Sequence, residues 1–524
     1  MLVANPHRSP RSRPRRLTVS VLAGLLVAAA AGAAVAGPAS AAPLAPLGPK
    51  VIKTDAPPTG YQVTFRYQAP EGVNTVQIYG DWFFAQPDNV AENRPPSQWQ
   101  PGDTAATPWH ILPMSKGADG VWAATVPLPG GTFRYAFTHD CTDDLATGCT
   151  LHDDPANPWQ IQPQYPGAPG AVRSTIYVPS SATFPTYDNG YQAPTKPNQS
   201  GTLETRRYPS PLSTNPAGVH DIVVYTPYGY NPNRATPYPT LYLSHGGGDH
   251  STAWTMQGVA HYILENAVKD KAAQQMVIVS TDFNGLPGGN QGYANELRDN
   301  VIPFVEQNYN VSNRSQDRAF AGFSAGGSRA FTILYDNTEL FGYHAAWSIG
   351  GGAQAPSQAQ VDRMKTVPGG IFLGTGNQDG STAQGLHARA EVLRSLGIDV
   401  TEQYFDGMHT WHVWRPLLNH YIRNVAFRTT TTGLTIATAP VNQNNVRLTA
   451  TATVEPVTAN TAVPTGKVDF YAGENFLGSG KLQNGVATIS RTFHRGLLDD
   501  GPVTARYQGD KLFNADTSDG IDAL

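Results

Sequence analysis

The chain has 524 residues, of which only 15% are charged, and it contains 52 glycines and 43 prolines. This length suffices for about three or four domains, and the composition favours modules of strands and loops over helical bundles. A formal net charge of −4 without basic clusters in the body of the chain argues against binding to nucleic acid or to an anionic membrane.

The first 41 residues have the pattern of a signal peptide. Five arginines at positions 8 to 16 precede an apolar run from 17 to about 35, and A-S-A at 39–41 offers a cleavage site. A membrane anchor is the alternative, but alanine and glycine make this run only weakly apolar. The pair Arg15-Arg16 leaves twin-arginine and ordinary secretory export both open. We expect a secreted, extracellular protein.

The chain has two cysteines, Cys141 and Cys149, and seven residues separate them. In an exported protein such a pair is expected to close a small loop as a disulfide. No cysteine or histidine spacing indicates a zinc site, and we expect neither a metal nor a cofactor.

Residues 50–180 alternate apolar and polar side chains at 61–67, 73–79 and 132–137, with turn signals between the runs. This pattern predicts a β-sandwich. The order of features, including Y-G-D-W at 79–82, resembles the early-set sandwich related to glycogen-binding modules. The resemblance implies a position beside the active-site cleft of a following esterase domain. It also implies glycan stacking on tryptophans, although we favour a core position for Trp82, Trp99 and Trp109.

Residues 181–200 are rich in proline and asparagine, and we interpret them as a linker. Residues 201–428 alternate strand-like with helix-like segments, which predicts an α/β sheet. Strands are expected near 220–227, 239–244, 275–280, 319–323, 345–349, 369–376 and 401–405, and helices near 258–271, 295–309, 325–335 and 386–396.

The sequence G-F-S-A-G at 322–326 fits the nucleophile elbow G-x-S-x-G, in which a serine lies on a sharp strand-to-helix turn. Alone the pattern is weak, because glycine is abundant in this chain. Asp379 and His409 follow Ser324, each just past a predicted strand, where ligand-facing groups of open α/β sheets lie. The chain order Ser, Asp, His is that of α/β-hydrolases, and we predict a catalytic triad of these residues.

The central segment resembles the secreted esterases that include feruloyl esterases, enterochelin esterases and antigen-85 mycolyltransferases. The resemblance rests on L-S-H-G-G-G-D at 243–249, residues 296–306, A-G-F-S-A-G-G at 321–327 and H-T-W at 409–411. The family usually has methionine where this chain has Ala325, a position that would contribute only its backbone N–H. We expect the N–H groups of Gly247 and Ala325 to form the oxyanion hole.

Several residues are alternatives or additions to this site. Asp406 lies only three residues before His409, which is too close for the loop to bend back easily. The H-T-W alignment favours His409 over His412 and His420, and His245 is expected to shape the glycine loop. The candidates for substrate binding are Asn284, Trp347 and Trp411.

Residues 432–524 alternate again, at 446–451, 466–471, 485–489 and 503–507, which predicts a small β-sandwich. P-T-G at 464–466, L-G-S-G at 477–480 and Y-Q-G-D at 507–510 resemble bacterial Ig-like modules. A spacer or a weak wall-binding role is expected, because no titratable cluster recurs here.

The predicted fold is therefore an α/β-hydrolase core flanked by two all-β sandwich, Ig-like domains. The predicted function is a secreted serine esterase that removes feruloyl or acetyl groups from an acylated polysaccharide. Acyl transfer of the mycolyltransferase type, hydrolysis of a siderophore lactone and a non-catalytic wall-binding protein stay open as alternatives. We expect a monomer whose partner is a polysaccharide-linked ester, with no nucleic acid and no membrane.

Overall fold

The computed structural model describes residues 45–161, 173–186, 188–352 and 354–524. The signal peptide predicted at 1–41 lies outside these described residues. Within them, no helix combines the length and the apolar character that crossing a bilayer requires.

The N-terminal module, which we define as residues 46–180, is built of short antiparallel strands. They are β1 Gly48–Lys53, β2 Tyr61–Tyr67, β3 Val76–Gly80, β4 Phe84–Ala85, β5 Thr104–Ala105, β6 Ile111–Pro113, β7 Ser115–Lys116, β8 Trp122–Pro127, β9 Gly131–His139, β10 Leu151–His152 and β11 Ser174–Val178. Two sheets, β1-β2-β8-β7 and β10-β9-β3-β6 with β11 beside β9, share one hydrophobic core, and β4 pairs with β5.

Alternation in these strands follows burial. Strand β2 turns Val63, Phe65 and Tyr67 into the core and Gln62, Thr64 and Arg66 outward, as the period of two requires. Trp82 and Trp99 are 0% and 3% exposed and belong to the core, which agrees with the interpretation favoured from the sequence.

A disulfide joins Cys141 to Cys149 with their Cα atoms 5.7 Å apart, and it closes a loop just after β9.

The central module, residues 201–428, contains one mixed sheet with helices. Its elements are β12 Thr202–Thr214, β13 Ala217–Thr226, β14 Thr240–Ser244, α1 Ala253–Met256, α2 Ala260–Lys269, β15 Val277–Thr281, α3 Gly289–Glu296, α4 Ile302–Asn308, β16 Arg318–Phe323, α5 Ala325–Asp336, β17 Tyr343–Trp347, α6 Gln358–Met364, β18 Ile371–Gly376, α7 Ser381–Ser395, β19 Val400–Phe405 and α8 Trp411–Asn424.

The eight strands lie in the order β12-β13-β15-β14-β16-β17-β18-β19. Strands β14 to β19 run parallel, and β12 and β13 extend the sheet antiparallel at one edge. Two hydrophobic clusters are built from alternate side chains of the same strands, as expected for a sheet covered on both faces. Because these strands are parallel, the carboxyl ends of β14, β16, β18 and β19 lie at the same end of the sheet, and this is the end at which the sequence predicts the site.

Several features of the central module differ from the sequence prediction, which lacks helices α3, α6 and α8. The helix expected over 295–309 is divided by a π-helical turn, Leu297–Val301, and Pro303 follows near the start of α4, where its missing N–H is tolerated. Strand β12 is not among the predicted strands, and it contains Pro209 and Pro211. It lies at the sheet edge, the position in which a strand accepts proline.

The C-terminal module, residues 430–524, comprises β20 Thr430–Pro440, β21 Asn445–Pro456, β22 Lys467–Ala472, β23 Asn475–Lys481, β24 Val486–His494, α9 Arg495–Leu498, β25 Val503–Tyr507 and β26 Asp516–Thr517. Sheets β20-β21-β24 and β23-β22-β25-β26 enclose a core of mostly aliphatic side chains with three aromatic rings.

This module contacts the amino-terminal edge of the large sheet. Asp317, just before β16, accepts a hydrogen bond from the N–H of Ala459 at 2.8 Å. Tyr343, the first residue of β17, hydrogen-bonds Thr458 at 3.0 Å between their hydroxyl oxygens. The C-terminal module thus lies at the amino-terminal ends of the strands, opposite to their carboxyl ends.

Candidate active site

Ser324 lies at the sharp turn between β16 and α5. Its backbone has φ +53° and ψ −118°, a conformation that a residue with a side chain rarely adopts. The Ser324 N–H donates to the carbonyl oxygen of Trp347 at 2.9 Å, which anchors the turn to the neighbouring strand. Backbone strain of this kind persists where the surrounding structure imposes it, and it concentrates at functional sites.

Packing explains the glycines around this serine. A Cβ on Gly322 would lie 2.4 Å from the carbonyl oxygen of Gly326. A Cβ on Gly326 would lie 2.6 Å from the carbonyl oxygens of both Ser244 and His245. The strand and the helix can meet at this turn only because neither position carries a side chain.

Asp379 and His409 are hydrogen-bonded to each other. Asp379 follows β18 and His409 follows β19, and both carboxylate oxygens lie 3.1 Å from His409 Nδ1. The Asp379 side chain is 6% exposed and that of His409 is 43% exposed. A buried carboxylate therefore orients an imidazole whose remaining face is open to solvent.

Trp414 on α8 packs against both the elbow and the histidine. Its ring stacks on Phe323, the residue before Ser324, with centroids 3.9 Å apart. It also meets the His409 ring edge-on at 5.1 Å. Trp414 thus connects the segment that carries Ser324 to the Asp379–His409 pair.

A line of hydrogen bonds runs from the same tryptophan to Asp379. Trp414 Nε1 donates to Ser348 Oγ at 2.9 Å, and Ser348 Oγ lies 3.2 Å from Thr375 Oγ1. Thr375 Oγ1 donates to Asp379 Oδ2 at 2.9 Å. Because indole N–H only donates and carboxylate oxygen only accepts, every proton in this line points towards Asp379. The line therefore helps to hold the Asp379 carboxylate in position.

The loop after β14 carries the expected oxyanion residues. Gly247 is exposed, and a Cβ there would meet nothing within 4 Å, whereas a Cβ on Gly246 would lie 2.4 Å from the Phe323 ring. In the described part of the chain, no protein acceptor hydrogen-bonds the N–H of Gly247 or of Ala325. Both amides are available to an oxygen outside the protein.

His245 and His420, two alternatives from the sequence, have other roles. His245 is 0% exposed, and its Nε2 lies 3.0 Å from Asp282 and its Nδ1 2.7 Å from the Gly246 carbonyl oxygen. Both ring nitrogens are occupied, so His245 braces the glycine loop. His420 stacks on Phe372, and burial lowers its pKa.

Asp406 and His412 are likewise engaged elsewhere. Asp406 Oδ1 accepts a hydrogen bond from Asn377 Nδ2 at 2.7 Å. His412 Nε2 donates to the carbonyl oxygen of Asp81 in the N-terminal module at 3.0 Å. Each of these two residues thus has a hydrogen-bond partner other than His409.

The N-terminal module reaches the glycine loop through side chains. Arg134 on β9 donates to Asp81 Oδ2 at 2.8 Å and to Gln257 Oε1 at 2.7 Å. Gln257 in turn donates from Nε2 to Asp249 Oδ1 at 2.7 Å, directly after the three glycines. A hydrogen-bonded path thus joins the two modules at the candidate site, and we call it the Arg134 path.

Buried charge reinforces this contact. Arg415, 1% exposed, donates to the carbonyl oxygens of Thr132 at 2.6 Å and Gln257 at 2.9 Å, and burial lowers its pKa to about 10. Burial acts to raise the pKa of Asp81, but the charges of Arg134 and His412 hold it well below its ordinary value.

The same module also contacts the loop that carries His409. Thr104 Oγ1 donates to the carbonyl oxygen of Asp406 at 3.1 Å. Thr107 Oγ1 lies 3.6 Å from the sulfur of Met408. The N-terminal module therefore touches both the loop with the expected oxyanion amide and the loop with the expected base.

Residues 213–424 match the family described as putative esterase. Residues 425–522 match the bacterial Ig-like domain, group 3. Both matches confirm the resemblances that the sequence indicated for the central and C-terminal modules.

Curated relatives align with the esterase domain. An endo-1,4-beta-xylanase/feruloyl esterase of Xylanibacter ruminicola is 29% identical over 208 residues, covering 37% of this chain and 28% of that protein. Endo-1,4-beta-xylanase Y of Acetivibrio thermocellus is 32% identical over 137 residues, covering 24% of this chain and 12% of that protein. The chain thus spans under a third of the length of either relative.

Solved structures of esterases also align with this chain. A ferulic acid esterase from Anaeromyces mucronatus has a TM-score of 0.40 at 21% identity and covers 45% of this chain and 94% of its own. The enterobactin esterase from Shigella flexneri has a TM-score of 0.44 at 16% identity and covers 71% of this chain and 96% of its own.

The structure corrects two of the three expected substrate residues of the esterase domain. Trp347 and Trp411 are 0% and 1% exposed and pack edge-on against Trp254 in the core, so neither is available to a substrate. Asn284 donates from Nδ2 to the carbonyl oxygen of Asp249 at 2.8 Å. Its side chain ties down the glycine loop.

Sequence reasoning missed the polar line behind Asp379 and the Arg134 path. Ser348 and Thr375 occur within the segments predicted as neighbouring strands, so a hydroxyl pair at that edge was a usable signal. No signal of this kind links Arg134 to Gln257, since they are far apart in the chain.

One group in the esterase domain has the spacing of metal ligands: one ligand atom each from His387, Glu391 and Glu402 lie within 4.8 Å of one another. Arg394 already hydrogen-bonds both carboxylates. The positive charge of Arg394 offsets the negative charges of the two glutamates, and a surface ion-pair cluster explains why the three residues lie together.

Proposed function

We propose that the protein is a secreted serine esterase that removes feruloyl or acetyl groups from an acylated polysaccharide. The observation that carries the proposal is the strained turn at Ser324 on the same sheet edge as the hydrogen-bonded pair Asp379 and His409. The names of the two curated relatives, one of them also a feruloyl esterase, support the choice of substrate.

In the proposed reaction, Ser324 Oγ attacks the ester carbonyl while His409 Nε2 takes the hydroxyl proton. The carbonyl π electrons move to oxygen, giving a tetrahedral oxyanion. Asp379 holds the His409 tautomer and stabilises the imidazolium. Collapse of the intermediate expels the alcohol of the polysaccharide, which receives the proton from His409, and leaves an acyl group on Ser324.

Water then completes the cycle. His409 deprotonates a water molecule that attacks the acyl-enzyme, and the second intermediate releases the carboxylic acid and restores the Ser324 hydroxyl. The amides of Gly247 and Ala325 are the donors that we assign to the oxyanion in both steps. Loss of one such donor lowers kcat by about 10²–10³-fold in serine hydrolases.

The domain layout is part of the proposal. It places a signal peptide at 1–41, an early-set sandwich at 50–180, a linker at 181–200, the esterase domain at 201–428 and an Ig-like domain at 432–524. Two sheets around a common core support the sandwich assignment.

The test compares Ser324→Ala with Ser328→Ala, a matched serine one turn further along α5. Hydrolysis of nitrophenyl acetate and methyl ferulate should be lost in the first variant and kept in the second, with thermal unfolding unchanged in both. Turnover by Ser324→Ala at the wild-type rate would refute the assignment of Ser324 as the nucleophile. A chain that cleaves the acetyl ester but not the feruloyl ester would narrow the substrate to acetylated polysaccharide.

A further inference from the structure

Arg329 lies on α5, one helical turn beyond Ala325. Its Nη1 donates to the carbonyl oxygen of Ala325 at 2.9 Å, so the side chain folds back towards the start of the helix. Ala325 follows Ser324 and carries one of the two amides that we assign to the oxyanion. Standard bond lengths then place Nη1 within about 9 Å of the Ser324 Cα atom. The guanidinium thus lies beside the proposed nucleophile.

An aromatic ring fixes the direction of this side chain. Arg329 Cζ lies 3.5 Å from the centroid of the Phe283 ring. Phe283 follows β15 and stacks on His245 of the glycine loop, with ring centroids 4.0 Å apart. Because the flat cation is already held on a ring face, it loses little freedom when it binds an anion.

The positive charge of Arg329 has no carboxylate beside it. In the described ranges, no Asp or Glu oxygen lies within 4.0 Å of its nitrogens. Asp282 acts on this charge from further away, but His245 and Asn284 hold the Asp282 carboxylate. Partial burial lowers the pKa of Arg329, although a guanidinium stays charged. The side chain is therefore a cation that has lost water without gaining a counter-charge.

Part of the guanidinium is open to an incoming group. Nε of Arg329 is buried and has no hydrogen-bond partner in the described part of the chain. Nη2 has no protein partner in the same ranges either, but it is not buried. Nη1 keeps a second N–H besides the one bonded to Ala325. Nη1 and Nη2 together are the donor pair that binds both oxygens of a carboxylate.

The position of Arg329 selects the acyl side of a bound ester. The alcohol side must lie beside His409, because His409 returns the proton to the leaving alcohol. In the sheet order, β19 before His409 and β15 before Phe283 lie on opposite sides of β16, which ends beside Ser324. Arg329, on the Phe283 side, therefore faces the acyl chain.

We propose that the enzyme also hydrolyses half-esters of short dicarboxylic acids, with Arg329 binding the free carboxylate of the acyl chain. A four-carbon chain suits the distance, because its carboxylate oxygens lie about 5 Å from the ester carbonyl carbon and one hydrogen bond from the guanidinium. Water cleaves the acyl C–O bond as in the cycle above, which gives the dicarboxylate, the alcohol and a proton. The proposal rests on Ser324 as the nucleophile and adds a substrate class to feruloyl and acetyl esters.

The experiment compares ethyl hydrogen succinate with ethyl levulinate, a neutral ester of nearly the same shape, by the release of ethanol. The wild-type protein should have a kcat/KM about 10-fold higher for the succinate, the lower end of what a hydrogen bond to a charged group gives, with the difference mainly in KM. The preference should shrink in about 1 M sodium chloride, since salt screens partly exposed charges.

Arg329→Met keeps an unbranched side chain beside Phe283 but removes the charge, and it should abolish the preference for the succinate. Arg329→Lys keeps the charge without the planar donor pair and should retain part of the preference. The matched control is Arg506→Met, since Arg506 stacks on Tyr471 of the C-terminal module at 4.1 Å. This control should keep the full preference. If Arg329→Met fails to fold, Arg329→Lys and the salt dependence decide the test.

Equal kcat/KM for the two ethyl esters in the wild-type protein would overturn the role of Arg329 and leave the esterase intact. A preference that persists in Arg329→Met would overturn it as well. Loss of turnover with both ethyl esters and with nitrophenyl acetate would instead refute the Ser324 esterase, and the proposal with it.

A second pair of esters tests the alcohol side. In 4-acetoxybenzoate the carboxylate belongs to the leaving group, and 4-acetoxybenzamide is its neutral counterpart. We expect no preference that depends on Arg329 within this pair. Such a preference, in place of the one for the succinate, would move the carboxylate to the alcohol and overturn the acyl assignment.

Discussion

Gln257→Met tests whether the Arg134 path positions the glycine loop. Gln257 is 2% exposed, and it accepts from Arg134 and donates to Asp249 at 2.7 Å each. Methionine keeps the length of the side chain but removes both hydrogen bonds. Arg134 keeps its bonds to Asp81, so the change leaves no buried carboxylate without its cation.

The expected size of the effect of Gln257→Met on kcat follows from the two hydrogen bonds of Gln257. Each lost bond involves a charged group, and such bonds contribute about 1.5–3 kcal/mol, so about 3–6 kcal/mol is the upper bound on the coupling. The loop keeps its contacts to His245 and Asn284. We therefore expect a partial displacement of the Gly247 amide and a fall in kcat of about 10- to 100-fold, below the cost of losing one oxyanion donor. KM should change little, because the oxyanion exists only in the transition state.

The assay is steady-state hydrolysis of a nitrophenyl ester together with thermal unfolding. Gln316→Met is the matched control, since Gln316 joins the esterase domain to the C-terminal module by a 3.2 Å bond to Val457 at the opposite edge. It should affect stability but not kcat. If Gln257→Met lowers the unfolding temperature while kcat stays within about two-fold of the parent, the path only holds the modules together and the positioning role is wrong.

Three further changes have defined outcomes. Thr375→Val removes the hydroxyl that donates to the triad carboxylate, and kcat measured at pH 7 should fall by at most about 10- to 100-fold, the value of one hydrogen bond to a charged group, with Thr332→Val as an unaffected control. Gly326→Ala places a Cβ 2.6 Å from two carbonyl oxygens and should lower the unfolding temperature, whereas the same change at Gly247 meets open space and should not. His261 has a folded pKa of about 3 against 6.5 for the free side chain, so the unfolded chain binds more protons between these values and stability falls on acidification; His261→Phe should flatten denaturant-midpoint curves in that range.

Much of the fold follows from local sequence pattern. Alternation predicted β2 at its observed bounds, because one face of that strand is buried and the other is not. The apolar run ending at Ser324 predicted β16, and the small residues after it are required by the packing of α5 on β14. The Asp379 and His409 positions followed from strand ends, since parallel strands present their carboxyl ends at one edge.

The rest depends on contacts between distant parts of the chain. Nothing near Trp347 shows that Trp254 and Tyr421 cover its ring, so an aromatic residue at a strand end was assigned to the pocket when it belongs to the core. From the local sequence alone, Asp81 and Arg134 would be interpreted as exposed charged residues of a β-strand module, although their side chains are only 1% and 11% exposed. Only the docking of α8 and its Arg415 converts this pair into an interface.

The position of the C-terminal module has a practical consequence. This module contacts the esterase domain through Asp317 and Tyr343 at the amino-terminal ends of the parallel strands. Ser324 lies at the opposite, carboxyl-terminal ends of these strands. A protein immobilised on a bead through its C-terminal module would present the elbow outward, towards an insoluble polymer in suspension. Immobilisation through the N-terminal module would instead pull on the loops around His409 and Gly247.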